Sequence, residues 1–438
     1  MSGNTKRAGV LLAAAALLLS YGAAATAEVP SSPPPAWSVA PAAPELARIG
    51  PWNVGTTVRQ LPVAMAGSRA TERVLEVRLF YPAIATSGPR ATYLHTIRPP
   101  QSAEFVVQEA GLAYPVATPA TEESFPLVVV SHGFGGWETH LSRICEVLAS
   151  HGYVVAAIDH ADERFDTVPG FLASFSHVLL RRSNDQRQAI AQLTGGEAGA
   201  GLAIATDTPV GLVGYSMGGY GALGTAGASY DAQSSTLAGL PASDVAALSE
   251  VTADPATGLG ALVLIAPWGG QPDSRMWTGP ALAQVKTPTL LIGGSADKIV
   301  NYGEGLRWIY DHIVGSDRRF LTFREAGHNI AGNAIPLTPG MDPQVVDYFG
   351  EPVWQRERLN QAISHFVVAF LDAQLKGMDD REAYLSVPTE DANDGQWPLA
   401  FGTLQDGRTA GEAEPGYWRG FQRGWAAGMT LEHKQAGE

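Results

Sequence analysis

The feature that most constrains this chain is a series of short, mainly apolar runs, most of them separated by segments with helical spacing. "FPLVVVSHG" (125–133), "YVVAAIDH" (153–160), "TPVGLVGYS" (208–216), "LGALVLIAPWG" (259–269), "TPTLLIGGS" (287–295) and "RRFLTFREAGH" (318–328) carry aliphatic, β-branched and aromatic residues, with charged groups only at their ends. A strand with no polar face must be covered on both sides, which is the situation of a parallel sheet lying between two layers of helices. The helical segments are "HLSRICEVLASHG" (140–152) with a glycine stop, "SNDQRQAIAQL" (183–193) with Ser183 as its cap, the small-residue run "YGALGTAG" (220–227), and the amphipathic "RERLNQAISHFVVAFLDAQL" (356–375). "RVLEVRLFYPA" (73–83) alternates apolar with polar, as a half-buried strand does. The fold class expected is α/β, a mostly parallel central sheet with helices on both faces. In such sheets ligands bind beyond the carboxyl ends of the strands, so chemistry is sought directly after the apolar runs.

One stretch there is unusual. Gly214-Tyr215-Ser216-Met217-Gly218 stands after the third run and before the small-residue helix. A serine on a sharp strand-to-helix turn takes strained backbone angles, and flanking glycines let strand and helix approach. The turn lifts the hydroxyl clear of the sheet, and the helix N-terminus aims N–H groups at developing negative charge. The bland alternative is a glycine-rich turn, but the strand before and the helix after are the context an elbow requires.

A serine nucleophile needs a base, and the base needs an orienting acid, in the chain order Ser, acid, His. Asp297 follows the fifth run in "GGSADKIV", and His328 follows the sixth in "EAGHNIAG". Among the later histidines, His312 and His365 fall in helical segments and His433 in the tail. Asp273 is the weaker alternative acid, and Glu325 is too near His328 along the chain. Two N–H donors are needed for an oxyanion: that of Met217, directly after the nucleophile, and that of Phe134 in the glycine-rich "SHGFGGW" (131–137). His132 in that loop precedes the nucleophile and is expected to be structural. Trp137, Tyr215 and Trp268 lie beside the inferred site, either as an apolar substrate cleft or as packing. The segment 164–180, "RFDTVPGFLASFSHVLL", is either a lid or a surface loop.

Composition narrows the partners. The 438 residues carry a net charge of −14, without the basic surface that a phosphate backbone demands, so no nucleic acid is expected. No His-Glu-x-x-His or paired-cysteine pattern calls for a metal, and no cofactor is expected. Cys145, the one cysteine, has no partner for an internal disulfide and reads as a buried structural thiol. At the N-terminus, Lys6 and Arg7 precede "AGVLLAAAALLLSYGAAATA" (8–27), with Ala25-Thr26-Ala27 at its end. That is the pattern of a signal peptide, residues 1–27, cut after Ala27, and it implies a secreted or periplasmic protein. Its apolar core is short for a membrane span of ~20 residues, so no stable membrane anchor is expected. A Pro-rich leader (28–50), a catalytic domain (51–376) and a C-terminal extension (377–438) packed on or beside the core complete the expected organisation.

Together these residues carry a resemblance. The chain resembles α/β-hydrolases, and more narrowly the dienelactone hydrolase and platelet-activating-factor acetylhydrolase group. The resemblance runs through "VRLFYPA", "PLVVVSHGFGG", "LASHGYVVAAIDHADE", "RRSNDQRQAI", "GYSMGGYGAL", "PTLLIGGSADKIV" and "EAGHNI", from about residue 73 to 375. It implies Ser216 as nucleophile, Asp297 as acid, His328 as base, and Phe134 and Met217 as oxyanion donors. The implied activity is hydrolysis of a small-molecule or polymeric carboxylic ester. Dienelactone hydrolases use cysteine where this chain has Ser216, which counts against lactone cleavage of that kind. "GYSMGG", "IGGSAD" and Trp268 are also similar to cutinase-like polyester hydrolases.

Overall fold

A computed structural model describes residues 33–64, 73–86, 88–98, 103–398 and 407–438; the expected signal peptide lies outside them. Thirteen strands are formed among the described residues: β1 (Asn53–Val63), β2 (Arg73–Ala85), β3 (Thr92–Ile97), β4 (Phe105–Ala110), β5 (Tyr114–Pro115), β6 (Thr118–Pro119), β7 (Leu127–Ser131), β8 (Val154–Asp159), β9 (Val210–Tyr215), β10 (Leu259–Ile265), β11 (Thr289–Gly294), β12 (Arg318–Phe323) and β13 (Met429–Lys434). The main sheet runs β13-β12-β11-β10-β9-β7-β8-β2-β1-β5, with β6 beside β2. The six strands from β12 to β8 are mutually parallel, while β2 and β13 join antiparallel at either side. These six are the six apolar runs, and their side chains are buried because both faces are covered. β3 and β4 form a separate hairpin.

The helices are α1 (Ser142–Ser150), α2 (Val168–Gly195), α3 (Met217–Thr225), α4 (Ala242–Val251), α5 (Gly279–Leu282), α6 (Arg307–His312), α7 (Pro343–Phe349), α8 (Arg356–Lys376) and α9 (Glu382–Leu385). α1 packs with α8, and α2 with α3. On β9, a Cβ at Gly211 would meet Leu371 and Leu375 of α8, whereas one at Gly214 would meet α3, so the two pairs cover opposite faces. Among the described residues no helix is long and apolar enough to cross a membrane.

One expectation changes. Residues 33–50, expected as an extended leader, include two short 3-10 turns docked on the core: Trp37 donates to the Ala110 carbonyl at 2.9 Å, and the Leu46 N–H donates to His365 Nδ1 at 3.2 Å. Burial holds His365 neutral, its pKa lowered to about 3, which suits it to accept that bond. The tail beyond residue 377 lies against the edge of the sheet and against α8. β13 extends the sheet along β12, and Trp418 and Phe421 are buried against Phe366 of α8. Cys145 is buried on α1, and burial pushes its thiol well above the ordinary range.

Candidate active site

Because β7 lies directly beside β9, with Ser131 opposite Gly214, the loops leaving these two strands emerge side by side at their carboxyl ends. Ser216 occupies the turn from β9 into α3 at φ 52° and ψ −113°. A residue with a Cβ is strained there, at a cost of roughly 1–3 kcal/mol. The backbone is held in place from three directions: the Ser216 N–H donates to Ile265 O at 2.9 Å, and its carbonyl accepts from Tyr220 N–H at 3.0 Å and Trp268 N–H at 3.1 Å. The glycines are steric necessities. A Cβ at Gly214 would stand 2.4 Å from the Gly218 carbonyl oxygen, and one at Gly218 would stand 2.1 Å from that of Ser131. Gly218→Ala therefore drives a methyl into backbone that cannot step aside. The expected result is a loss of about 3 kcal/mol or more together with collapse of the elbow, read by thermal unfolding and ester turnover.

His328 and Asp297 arrive at the same point from the ends of β12 and β11. Ser216 Oγ lies 3.0 Å from His328 Nε2, and His328 Nδ1 lies 2.7 Å from Asp297 Oδ2. An ionised carboxylate can only accept, so Nδ1 carries the proton and Nε2 is free to accept from the serine. The other Asp297 oxygen accepts the N–H groups of Ile299 at 2.9 Å and Val300 at 3.1 Å, which fixes the carboxylate plane. Asp297 is buried, and Ser216 keeps 7% of its surface exposed, enough for a reactant to reach it. Asp273, the weaker alternative, lies in a separate short 3-10 turn (Pro272–Ser274).

The loop after β7 passes the serine closely: a Cβ on Gly133 would stand 3.2 Å from Ser216 Cβ. Among the described residues, the N–H groups of Phe134 and Met217 donate to no protein acceptor. His132 is buried under this loop, with Nδ1 2.6 Å from the Gly133 carbonyl and Nε2 accepting the His160 N–H at 3.1 Å.

The aromatic residues divide. Trp268 is partly exposed and meets Phe175 edge-on at 5.2 Å. Phe175, Phe171 and Phe165 in turn surround Phe134, with ring centroids 5.7–5.9 Å from it. These three phenylalanines belong to the 164–180 segment, most of which is not a loop but the first turns of α2. Thr167 caps that helix by accepting the Gly170 N–H, and Pro169 sits in its first turn. Ser183, expected as a cap, is instead mid-helix and buried, donating to the Gly221 carbonyl at 2.9 Å. Tyr215 is buried, stacks on His328 at 5.5 Å and donates to the His328 carbonyl at 3.2 Å, so it braces the histidine rather than facing a cleft. Trp137 is also corrected: its ring is clasped between His95 and His140 in a small core with Ile97 and Val107, because a large apolar ring is best covered under the β3–β4 hairpin. A cavity of about 430 Å³ borders Phe134 and Phe165 and extends to Ile97, Tyr348 and Phe349.

A second Ser–His–Asp array, not foreseen from the sequence, lies beneath the elbow. Ser131 Oγ is 2.7 Å from His160 Nε2, and His160 Nδ1 is 2.8 Å from Asp185 Oδ2, which is paired in turn with Arg73. All three are almost completely buried, so no substrate reaches them. Burial keeps His160 well below its ordinary pKa, and burial lifts Asp185 to about 6 against the pull of Arg73. Gln186 ties the array to the elbow, donating to Ser131 Oγ and to the Gly218 carbonyl, both at 2.9 Å. The only sequence signals were Ser131 and His160 at the ends of two strands. Among the described residues no group of three or more His, Cys, Asp or Glu side chains is disposed to hold a metal ion.

The sheet order, the strained serine on its strand-to-helix turn and the later acid and histidine define an α/β-hydrolase fold. Residues 106–169 match the family model described as platelet-activating factor acetylhydrolase, isoform II. The matched stretch includes the Phe134 loop but stops before Ser216. Curated relatives include the platelet-activating factor acetylhydrolase of Cavia porcellus, 33% identical over 26% of this chain and 28% of its own length. That of Canis lupus familiaris is 50% identical over 11% of this chain and 12% of its own, and that of Gallus gallus 51% identical over 9% and 10%. The matches thus span less than a third of the curated relatives' length. Over these stretches the chain is similar to platelet-activating factor acetylhydrolase.

Proposed function

We propose that the chain is a secreted serine esterase that cleaves short-chain or lipid acyl esters through an acyl-enzyme on Ser216. The observation that carries this reading is the continuous Ser216–His328–Asp297 hydrogen-bond chain, with the serine strained into reach of the histidine. His328 Nε2 takes the Ser216 proton as Oγ attacks the ester carbonyl carbon. Asp297 keeps Nδ1 protonated and stabilises the imidazolium. The N–H groups of Phe134 and Met217 hold the oxyanion; loss of one such donor costs about 100- to 1,000-fold in kcat. The intermediate collapses, the alkoxide leaves with the proton from His328, and water activated by His328 then releases the acid and frees Ser216.

The apolar wall of Phe134, Phe165, Phe171, Phe175 and Trp268 supports an acyl chain as the group bound, as do the acetylhydrolase relatives. The deciding experiment is a p-nitrophenyl ester series from acetate to octanoate, with a polyester film alongside, on wild type and Ser216→Ala. Turnover lost in the variant supports the esterase; equal background rates in both would leave a binding module on a hydrolase fold. Efficient film erosion would favour the polyester reading. Phe175→Ala is expected to lower kcat/KM for octanoate about tenfold while moving acetate less than threefold, since only the longer chain reaches the wall. Export is tested by N-terminal sequencing of the mature protein, expected to begin at Glu28.

A further inference from the structure

The side chain with the least obvious reason for its place is Arg182. It stands mid-way along α2 with its guanidinium fully buried, paired with Asp162 through Nη1–Oδ1 at 2.8 Å and Nη2–Oδ2 at 2.6 Å. Taking such a pair out of water is expensive and is weak evidence for a stabilising role. What distinguishes it is what else the two groups hold. Arg182 Nη2 donates to the Gly133 carbonyl at 3.2 Å, and Asp162 Oδ2 accepts the Gly135 N–H at 2.8 Å. The pair therefore grips the loop on both sides of Phe134.

We propose that Arg182, locked on Asp162, is a positioning residue that sets the Gly133–Phe134 peptide so that the Phe134 N–H faces the oxyanion. The inference rests on the esterase reading above. In a trans peptide the C=O and N–H point in opposite directions, and no cis bond occurs among the described residues. The Gly133 oxygen accepts three donors: His132 Nδ1–H at 2.6 Å, Arg182 Nη2–H at 3.2 Å and the Gly136 N–H at 3.2 Å. With the carbonyl end fixed, the Phe134 N–H is turned the other way, without a protein acceptor, in the segment that passes Ser216. Such a clamp is needed because Gly133, Gly135 and Gly136 give this loop little rigidity of its own; Gly135 sits at φ 66°. Burial pushes Asp162 up, but Arg182 outweighs it and holds the carboxyl at about 2, so the clamp stays ionised through the working range of an esterase.

The test is Arg182→Lys, which keeps the charge but loses the planar fork, with Asp162→Asn as a near-isosteric second variant. In either folded variant kcat is expected to fall about 10- to 100-fold, with KM within threefold. The affinity for an alkylboronic acid, whose tetrahedral adduct occupies the oxyanion position, should fall in parallel, while inhibition by the product carboxylic acid should not change. Thermal unfolding verifies that the variants fold. A normal kcat, a change in KM alone, or failure of both variants to fold would overturn the proposal, the pair then being merely structural. If instead Ser216→Ala retained full activity, it is the esterase reading that would fail.

Discussion

Replacing Ser216 with glycine is expected to abolish ester hydrolysis and, at the same time, to make the protein more stable. The serine is held at φ 52° and ψ −113°, a conformation that glycine adopts without the Cβ clash. Relief of roughly 1–3 kcal/mol of strain is offset by the ~0.5–1 kcal/mol that a glycine loses through its freer unfolded chain. A net gain of about 1 kcal/mol remains, worth ~1–3 °C in Tm for a chain of this size. Ser216→Ala keeps its Cβ and hence its strain, so it should lose activity without the gain. Both variants lack the nucleophile, and a fall in kcat of about five to six orders of magnitude is expected. The contrast between them separates strain from chemistry in one pair of unfolding curves. A Ser216→Gly protein no more stable than Ser216→Ala would show that the elbow stores no strain.

The second large effect is expected from Asp297→Asn. The side chain divides its work: Oδ1 accepts two N–H groups, from Ile299 and Val300, and Oδ2 meets His328 Nδ1. Asparagine keeps its carbonyl toward the two backbone donors, which leaves its NH2 facing Nδ1. Nδ1 must then accept, the proton moves to Nε2, and the histidine can no longer take one from Ser216. A loss of about 10⁴-fold in kcat is expected, with Tm within a few degrees, because the local hydrogen bonds and volume are kept. Steady-state kinetics with p-nitrophenyl acetate and a thermal scan read both quantities. A kcat reduced only severalfold would mean that Asp297 does not set the tautomer and that another acid orients His328.

Much of the site is legible in the sequence because its parts obey local rules. An apolar run without a polar face cannot be anything but covered, so the six parallel strands were legible one at a time. Ser216, Asp297 and His328 each follow such a strand, and residues after parallel strands share one end of the sheet. The first turns of α2 were not legible. Pro169 and Gly170 have the appearance of a break, yet a proline in the first turn costs a helix no hydrogen bond, and Thr167 supplies the cap. Ser183 resembled a cap for a related reason: a serine signals a helix start only if its hydroxyl has no better partner, and here Gly221 and Tyr230 provide one. Trp137 sits next to the oxyanion loop along the chain, but its ring turns away into the hairpin core.

What the sequence determined by itself was the layered α/β architecture, the elbow and the order of the three residues that meet there, because burial pattern and glycine sterics act over a few neighbouring residues. Only the tertiary structure decided that the phenylalanines of α2 wall the site, that β13 extends the sheet along β12, and that Arg182 grips a loop some fifty residues earlier in the chain. Those contacts join segments whose own sequences carry no mark of each other, and they come about only when the packed sheet brings them within hydrogen-bond or van der Waals range.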